Sequence, residues 1–249
     1  MIKNPRQADI LNILEQYAYA SVELLAKLTY ASEPTIRRDL IYLESKGYIV
    51  RNHGGATLPL KGTSVRPVAF RNSFNLRQKK SLCKEAAKLI QESMTIFLDA
   101  STTASFIVEY LPKNKDLTVI TNSLQTCNKL NELNLKFFCT GGDITNQICF
   151  TGTHAERFIR AFNADICFFS STTISSEGII SDNGEKESAT TFTMLEQSKR
   201  RVYLCDDSKI DLPAKYNLTT VNNIDKIYTT AKENSLLIPK EKVVYVPIT

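Results

Sequence analysis

The sequence predicts an α/β protein in two parts: three helices with a β-hairpin, then a longer, mainly parallel α/β domain. Three observations predict it. Apolar residues recur at helical spacing three times within the first fifty residues, then give way to two short extended runs around a Gly-Gly turn. From residue 95 onward, short continuous apolar runs alternate with helical stretches, as in strands covered on both faces of a parallel sheet. Between these regions lies a basic, irregular stretch carrying Pro59, Gly62 and Pro67, which reads as a linker. The expected boundaries are 1–60, 61–77 and 78–249.

A first helix is expected over 6–17, where Ile10, Ile13, Leu14 and Tyr17 share a face. Ser21 is placed to cap a second helix through Leu28, with Val22, Leu25 and Leu28 at helical spacing. After Thr29-Tyr30-Ala31, Ser32 caps a third helix, with Pro34 in the first turn, where its missing N–H costs little. Ile36, Leu40 and Leu43 form its buried stripe, and Gly47 ends it. Tyr48–Arg51 and Ala56–Leu58 flank Asn52-His53-Gly54-Gly55 as a hairpin, whose two glycines serve the turn. Three helices followed by a hairpin is the plan of a winged helix-turn-helix. Downstream, a helix is expected over 78–91, with Leu82, Ala86 and Leu89 on one face. Strands are expected at 95–98, 117–120, 135–139, 164–169, 201–205, around Ile224–Tyr228 and at 243–246. Helices are expected at 101–111, 123–131, 153–162 and 187–199.

The 249 residues are 43% apolar, enough for a core, yet no apolar run reaches the ~18–20 residues of a membrane span. The N-terminus turns polar at once and gives no secretory signal, so no membrane association and a cytoplasmic location are expected. The net charge of +5 is unevenly spread. Residues 1–80 hold 13 basic and 6 acidic side chains; residues 61–80 hold six basic ones and no acid. That asymmetry points to an anion-binding module at the N-terminus, with nucleic acid the first candidate. The six cysteines form no C-x-x-C pair and only two histidines exist, so no metal site is expected, and no cofactor; the thiols read as reduced and buried.

The most informative string is Ser32-Glu33-Pro34-Thr35-Ile36-Arg37-Arg38-Asp39-Leu40. With Ile36, Leu40 and Leu43 inward, Thr35, Arg37, Arg38 and Ile41 lie on or beside the exposed edge. The N-terminal turns of a recognition helix enter the major groove, and the arginine fork suits a guanine edge or a phosphate. Ser32 leaves helix amides facing a phosphate. Arg51 and His53 on the hairpin are placed for phosphate or minor-groove contact. Asp39 is expected to pair with an arginine of its own domain. The alternative is that these arginines solvate an exposed helix face and that Arg51 and His53 form a solvated tip.

In the second part, Asp99-Ala100-Ser101-Thr102-Thr103 joins a strand to a helix, where hydroxyls and helix-start amides suit a phosphate. Asp99 is placed to accept from sugar hydroxyls. Asn122, Gly141 and Gly142 follow the next two strands, and Lys209 offers a cation after a later one. These loops gather at the carboxyl ends of the strands, where open α/β sheets bind ligands. Simple N-capping accounts equally well for the Ser-Thr-Thr turn. Asp182, Glu185 and Glu187 have no paired base and read as a solvated loop, and His154 as an exposed helix-start residue. No catalytic residue is expected.

The chain resembles the DeoR family of bacterial transcriptional regulators. The resemblance is carried by Leu25-Ala26, Ser32, Thr35-Ile36-Arg37-Arg38-Asp39-Leu40, Leu43-Glu44, Gly47 and Arg51-Asn52-His53-Gly54-Gly55-Ala56. Further matches are Asp99, Thr102-Thr103, Thr118-Val119, Thr121-Asn122-Ser123, Gly141-Gly142, Gly152, Asp165, Gly178, Glu187 and Asp206–Lys209. It implies an effector domain similar to sugar-phosphate isomerases, double-stranded operator DNA as one partner and a phosphorylated sugar as the other. It further implies a homodimer or homotetramer that represses a sugar or carbohydrate operon. The rival readings are an isomerase-like enzyme with a DNA-binding head and a regulator whose effector pocket has degenerated. Departures from the family pattern are Tyr30, Ser101, Ser170 and Thr173, where glycine is usual; Tyr30 should alter its turn slightly.

Overall fold

A computed structural model describes residues 4–17, 19–52, 54–58, 71–72, 74–112, 116–146, 148–233 and 238–248. Two compact units divide the chain, Met1–Leu76 and Arg77–Thr249. His53 and most of the expected linker, residues 61–70 and 73, lie outside the described residues.

The N-terminal unit runs α1 (Pro5–Tyr17), β1 (Tyr19–Ser21), α2 (Val22–Leu28), α3 (Glu33–Ser45), β2 (Val50–Asn52) and β3 (Gly55–Thr57). Ile10, Leu11 and Leu14 of α1 pack with Leu25 of α2 and with Ile36, Leu40 and Leu43 of α3, all at most 1% exposed. Ser21 caps α2 as expected, its Oγ accepting from Leu24 N at 3.1 Å. Ser32 occupies the N-cap of α3 but caps no amide; its hydroxyl bonds Thr35 Oγ1 at 2.9 Å. Asp39 does find its arginine: Arg6 Nε lies 2.6 Å from Oδ2, and Gln7 Nε2 donates to Oδ1 at 2.8 Å. A buried carboxylate is tolerated only when paired, so this triad fixes α1 against α3. Gly47, at φ +71°, ends α3 as expected, with Tyr48 N bonded to Leu43 O at 2.9 Å and Gly47 N to Glu44 O at 2.8 Å.

The expected two-stranded wing is a three-stranded antiparallel sheet in the order β1-β3-β2. Three residues between two helices carry too little pattern to be read as a strand. The sheet changes the reading of the glycines. Gly54, at φ +80°, serves the turn, but a Cβ on Gly55 would sit 2.4 Å from the Ala20 carbonyl, so Gly55 serves the close approach of β1. Tyr30 also departs from expectation. It stands at φ +52° and closes α2 with the Ala31 N to Ala26 O bond of 3.0 Å that a glycine there would make. The turn is kept, and an aromatic residue 98% exposed bears the left-handed strain.

In the C-terminal unit, α4 (Leu76–Ala86) runs into a short 3₁₀ turn and leads to β4 (Thr95–Leu98), β5 (Thr118–Thr121), α5 (Leu124–Glu132) and β6 (Phe137–Cys139). A hairpin, β7 (Asp143–Thr145) with β8 (Cys149–Thr151), precedes α6 (Thr153–Arg160) and β9 (Ile166–Phe169). Then come β10 (Thr173–Ile174), β11 (Ile179–Asp182), α7 (Glu185–Glu196), β12 (Arg201–Cys205), β13 (Tyr216–Thr220), β14 (Lys226–Thr229) and β15 (Val243–Tyr245). Seven strands form one sheet in the order β15-β14-β12-β9-β4-β5-β6, every neighbour parallel. Side chains alternate between its faces: Ile96, Leu98, Phe168 and Leu204 join α4 and Leu130 on one side, Phe97, Phe169 and Tyr203 join Ile159 and Met194 on the other.

The seven parallel strands fall within a few residues of their expected positions. The expected helix over 101–111 is a 3₁₀ helix over Ala104–Tyr110, and the one to Gln91 ends at Leu89. The β7–β8 hairpin and a second, antiparallel sheet, β10-β11-β13, escaped the reading because their strands are short and rich in Ser and Thr. Glu185 and Glu187 open α7 rather than sit in a loop, where they meet the positive end of the helix. Half of the basic excess in 61–80 belongs to α4: Arg77, Lys79 and Lys80 lie on it, and Lys79 is buried.

Replacing Tyr30 with glycine relieves the left-handed strain and should stabilise the N-terminal unit by about 1 kcal/mol. Urea denaturation checks this; an unchanged or lowered midpoint would mean that the tyrosine bears no strain.

Candidate functional site

Each unit carries a cluster built by its own elements. On α3, burial of Ile36, Leu40 and Leu43 turns the next residues outward. Ser32, Arg37 and Arg38 are exposed and Thr35 is half-buried, all on the first two turns. Arg37 pairs with Glu33 at 3.1 Å, an exposed contact of the kind worth ~0–1 kcal/mol and readily exchanged for a phosphate. Arg38 has no partner among the described residues. Arg51, on β2, is tied to the end of α3: its N–H donates to Glu44 Oε1 at 3.2 Å and its guanidinium lies 3.5 Å from Oε2. Pairing by Glu33 and Glu44 was not foreseen, although the i, i+4 spacing of Glu33 and Arg37 signals it. His53 is outside the described residues.

The second cluster follows from strand direction. Because β12, β9, β4, β5 and β6 are consecutive and parallel, the loops after them leave one edge of the sheet. Asp99, directly after β4, is 3% exposed. Its Oδ1 accepts from Ser101 N at 3.1 Å and Ser101 Oγ at 2.5 Å, and its Oδ2 from Ser170 N at 3.2 Å. Burial pushes this carboxyl up to about 7; the bonds from Ser101 and Ser170 pull against it, while the charge of Asp182 adds to it. Ser101 Oγ also accepts from Ala104 N, the first amide of the following 3₁₀ helix, at 3.1 Å, although the N-cap position itself is Thr103. The Thr102 hydroxyl lies 3.4 Å from Lys79 Nζ, and Gln78 Nε2 donates to Asp207 at 3.1 Å. The first turn of α4 therefore spans the loops after β4 and β12. Lys79 was missed because its charge was counted with the basic stretch 61–80, although it falls inside the helix expected over 78–91; the three-residue spacing from Lys79 to the buried Leu82 was the available signal.

Thr103 is fully buried, its carbonyl accepting from Cys83 Sγ at 3.1 Å while its hydroxyl finds no partner among the described residues. Asn122 donates from Nδ2 to Phe150 O at 3.0 Å and accepts at its own carbonyl from Phe150 N at 2.8 Å, which docks β8 beside β5. Its Oδ1 is buried without a partner among the described residues. Gly142, at φ +112°, requires glycine twice over, since a Cβ would lie 2.6 Å from Thr151 O. Lys209 reaches back to β9, its ammonium bonding Ser170 Oγ at 2.9 Å and the Ser171 carbonyl. Asp99, Ser101, Ser170 and Lys209 thus form one network, with Thr102 and Lys79 beside it and Asn122, Gly141 and Gly142 at the ends of the adjoining strands. It offers two ammonium groups, hydroxyls and helix-start amides to an anion, and a carboxyl to hydroxyl groups.

The raised Asp99 pKa carries a sign. The folded chain holds this proton up to about pH 7 and the unfolded chain only to about its ordinary value of 3.8. Stability contributed by the protonated form is therefore lost as pH rises through that window, and the loss is complete above it. Between pH 5 and pH 8, urea denaturation should show the wild type losing stability relative to Asp99→Asn. A difference between the two proteins that does not vary with pH would place the Asp99 titration elsewhere.

Comparison with known proteins bears on both clusters. The DeoR-like helix-turn-helix domain model matches residues 6–61, and the DeoR C terminal sensor domain model matches residues 74–231. The chain is 32% identical over 245 residues to the HTH-type transcriptional regulator GolR of Listeria innocua, spanning 98% of this chain and 96% of that one. It is 28% identical to the glycerol-3-phosphate regulon repressor of Escherichia coli K12, over 93% of this chain and 92% of that one. Among solved structures, ribose 5-phosphate isomerase A of Methanocaldococcus jannaschii is 18% identical with a TM-score of 0.42, over 55% of each chain. The relatives carry the names of regulators and repressors, not of enzymes. Among the described residues no helix is long and apolar enough to cross a membrane. With a DNA-binding helix-turn-helix and a sensor domain matched in order along nearly its whole length, the chain belongs to the DeoR family of helix-turn-helix transcriptional regulators.

Proposed function

We propose that this protein is a cytoplasmic repressor of a sugar or carbohydrate operon, released or engaged by a phosphorylated sugar bound at the carboxyl edge of its parallel sheet. The observation that carries the reading is the division of α3: its apolar stripe is wholly consumed by the core, leaving Ser32, Thr35, Arg37 and Arg38 free to face a groove. Arg38 reads base edges, and Arg37, once it leaves Glu33, holds phosphate. Arg51, held by Glu44, and His53 meet the backbone from the wing.

The effector half rests on chemistry at the strand ends. Asp99 and Asn122 suit sugar hydroxyls; Ser101, Thr102, Thr103 and the Gly141-Gly142 backbone suit phosphate oxygens, with Lys209 supplying charge. Differential affinity of the phosphorylated sugar for two arrangements shifts the DNA-competent population. Regulators of this class read paired half-sites, which calls for a homodimer or homotetramer.

Two variants test the halves separately. Arg38→Ala should weaken binding to the specific operator by about 1–3 kcal/mol in a fluorescence-anisotropy titration at fixed salt, and relax preference at one base position. Unchanged affinity would remove Arg38 from the interface. Lys209→Met should leave operator affinity intact while blunting its response to a panel of sugar phosphates; an intact response would refute the role of Lys209.

A further inference from the structure

The sensor cluster contains an interaction that anion binding does not require. Lys209 comes to the site with two of its three ammonium N–H groups already given to Ser170 Oγ and the Ser171 carbonyl. Ser170 is 2% exposed, directly follows β9 and bonds in three directions. Its amide donates to Asp99 Oδ2 at 3.2 Å, its hydroxyl donates to the Leu204 carbonyl at 2.6 Å, and the same oxygen accepts from Lys209 at 2.9 Å. A hydroxyl has a single proton. With that proton committed to Leu204, Ser170 Oγ presents only lone pairs to the ammonium. It is a fixed, desolvated acceptor standing where a ligand oxygen would have to compete.

We propose that Ser170 sets the affinity and selectivity of the effector site by holding Lys209 against the loop after β9. The proposal rests on the effector reading above and names the residue that decides which ligands pass. A neutral sugar hydroxyl offers Lys209 nothing beyond what Ser170 and Ser171 already give. A phosphate monoester dianion replaces two neutral acceptors with charged ones, adding the attraction between opposite charges to bonds that only the ammonium charge had assisted, and so can displace them. The restraint also weakens every ligand by the fraction of molecules in which Lys209 is free. Removing one such bond to a charged group should shift that fraction by about tenfold.

The test uses Ser170→Gly and Ser170→Ala in the full-length chain, with Ser170→Thr retaining the hydroxyl as control. Two readouts are taken: calorimetric titration with inorganic phosphate, and site-resolved labelling of Lys209 by an amine-reactive ester, followed by mass spectrometry. Expected are faster Lys209 labelling and about tenfold tighter phosphate binding in both the Gly and Ala variants, with the Thr variant close to wild type. Unchanged labelling would overturn the restraint. Faster labelling with unchanged phosphate affinity would overturn its control over binding. Faster labelling in proteins that bind no phosphate at all would uphold the restraint and refute the effector reading instead. Should the Gly variant fail to fold, the Ala variant carries the same comparison.

Discussion

The direction of seven strands governs everything else in the C-terminal unit. Parallel neighbours cannot be joined by tight turns, so each strand is followed by a crossover, and every crossover leaves the same edge. That rule alone brings residues from positions 99, 122, 141, 170 and 209 to one rim, although they are spread over more than a hundred positions of sequence. It also explains the composition of the strands. Ile96-Phe97-Leu98 and Ile166–Phe169 are apolar throughout because helices cover both faces. The polar residues begin where the strands stop.

At that rim the energetics turn on a single buried carboxyl. Asp99 is desolvated enough to hold its proton toward neutral pH, and it is kept in place by donors from its own loop and from the loop after β9. Ser170 extends the network to Lys209. At Ser101, Ser170 and Thr173 this chain carries hydroxyls that satisfy its own polar groups. The gain is a well-bonded rim; the corresponding loss is free bonding capacity for a ligand. In the N-terminal unit the same logic runs in the other direction. Asp39 is fully satisfied by Arg6 and Gln7, so the core needs nothing further from Arg37 or Arg38.

Much of this was legible in the sequence. The stripe Ile36, Leu40, Leu43 fixed which side of α3 faces out, because helical periodicity leaves no other solution. The strands of the parallel sheet were legible for the same kind of reason, being uninterrupted apolar runs. What escaped were features without a local signal. β1 is three residues long and is a strand only because β3 lies beside it. The role of Gly55 depends on the Ala20 carbonyl, thirty-five positions earlier. Tyr30 shows the limit in reverse: its residue type argues against a left-handed turn, and the surrounding helix ends impose one.

The sequence by itself determined the helical periodicity of the N-terminal unit, the alternation of strands and helices, and the family to which their motifs belong. Those properties are local, set by side-chain spacing and backbone preference. Only the tertiary structure decided that Lys79 is a buried partner of Thr102 rather than an exposed charge on its helix, and that Lys209 is held by Ser170. It also decided that the Asp99 carboxyl is pushed up to about 7. Each of these depends on desolvation and on contacts between distant segments, and neither quantity is written in any stretch of the chain.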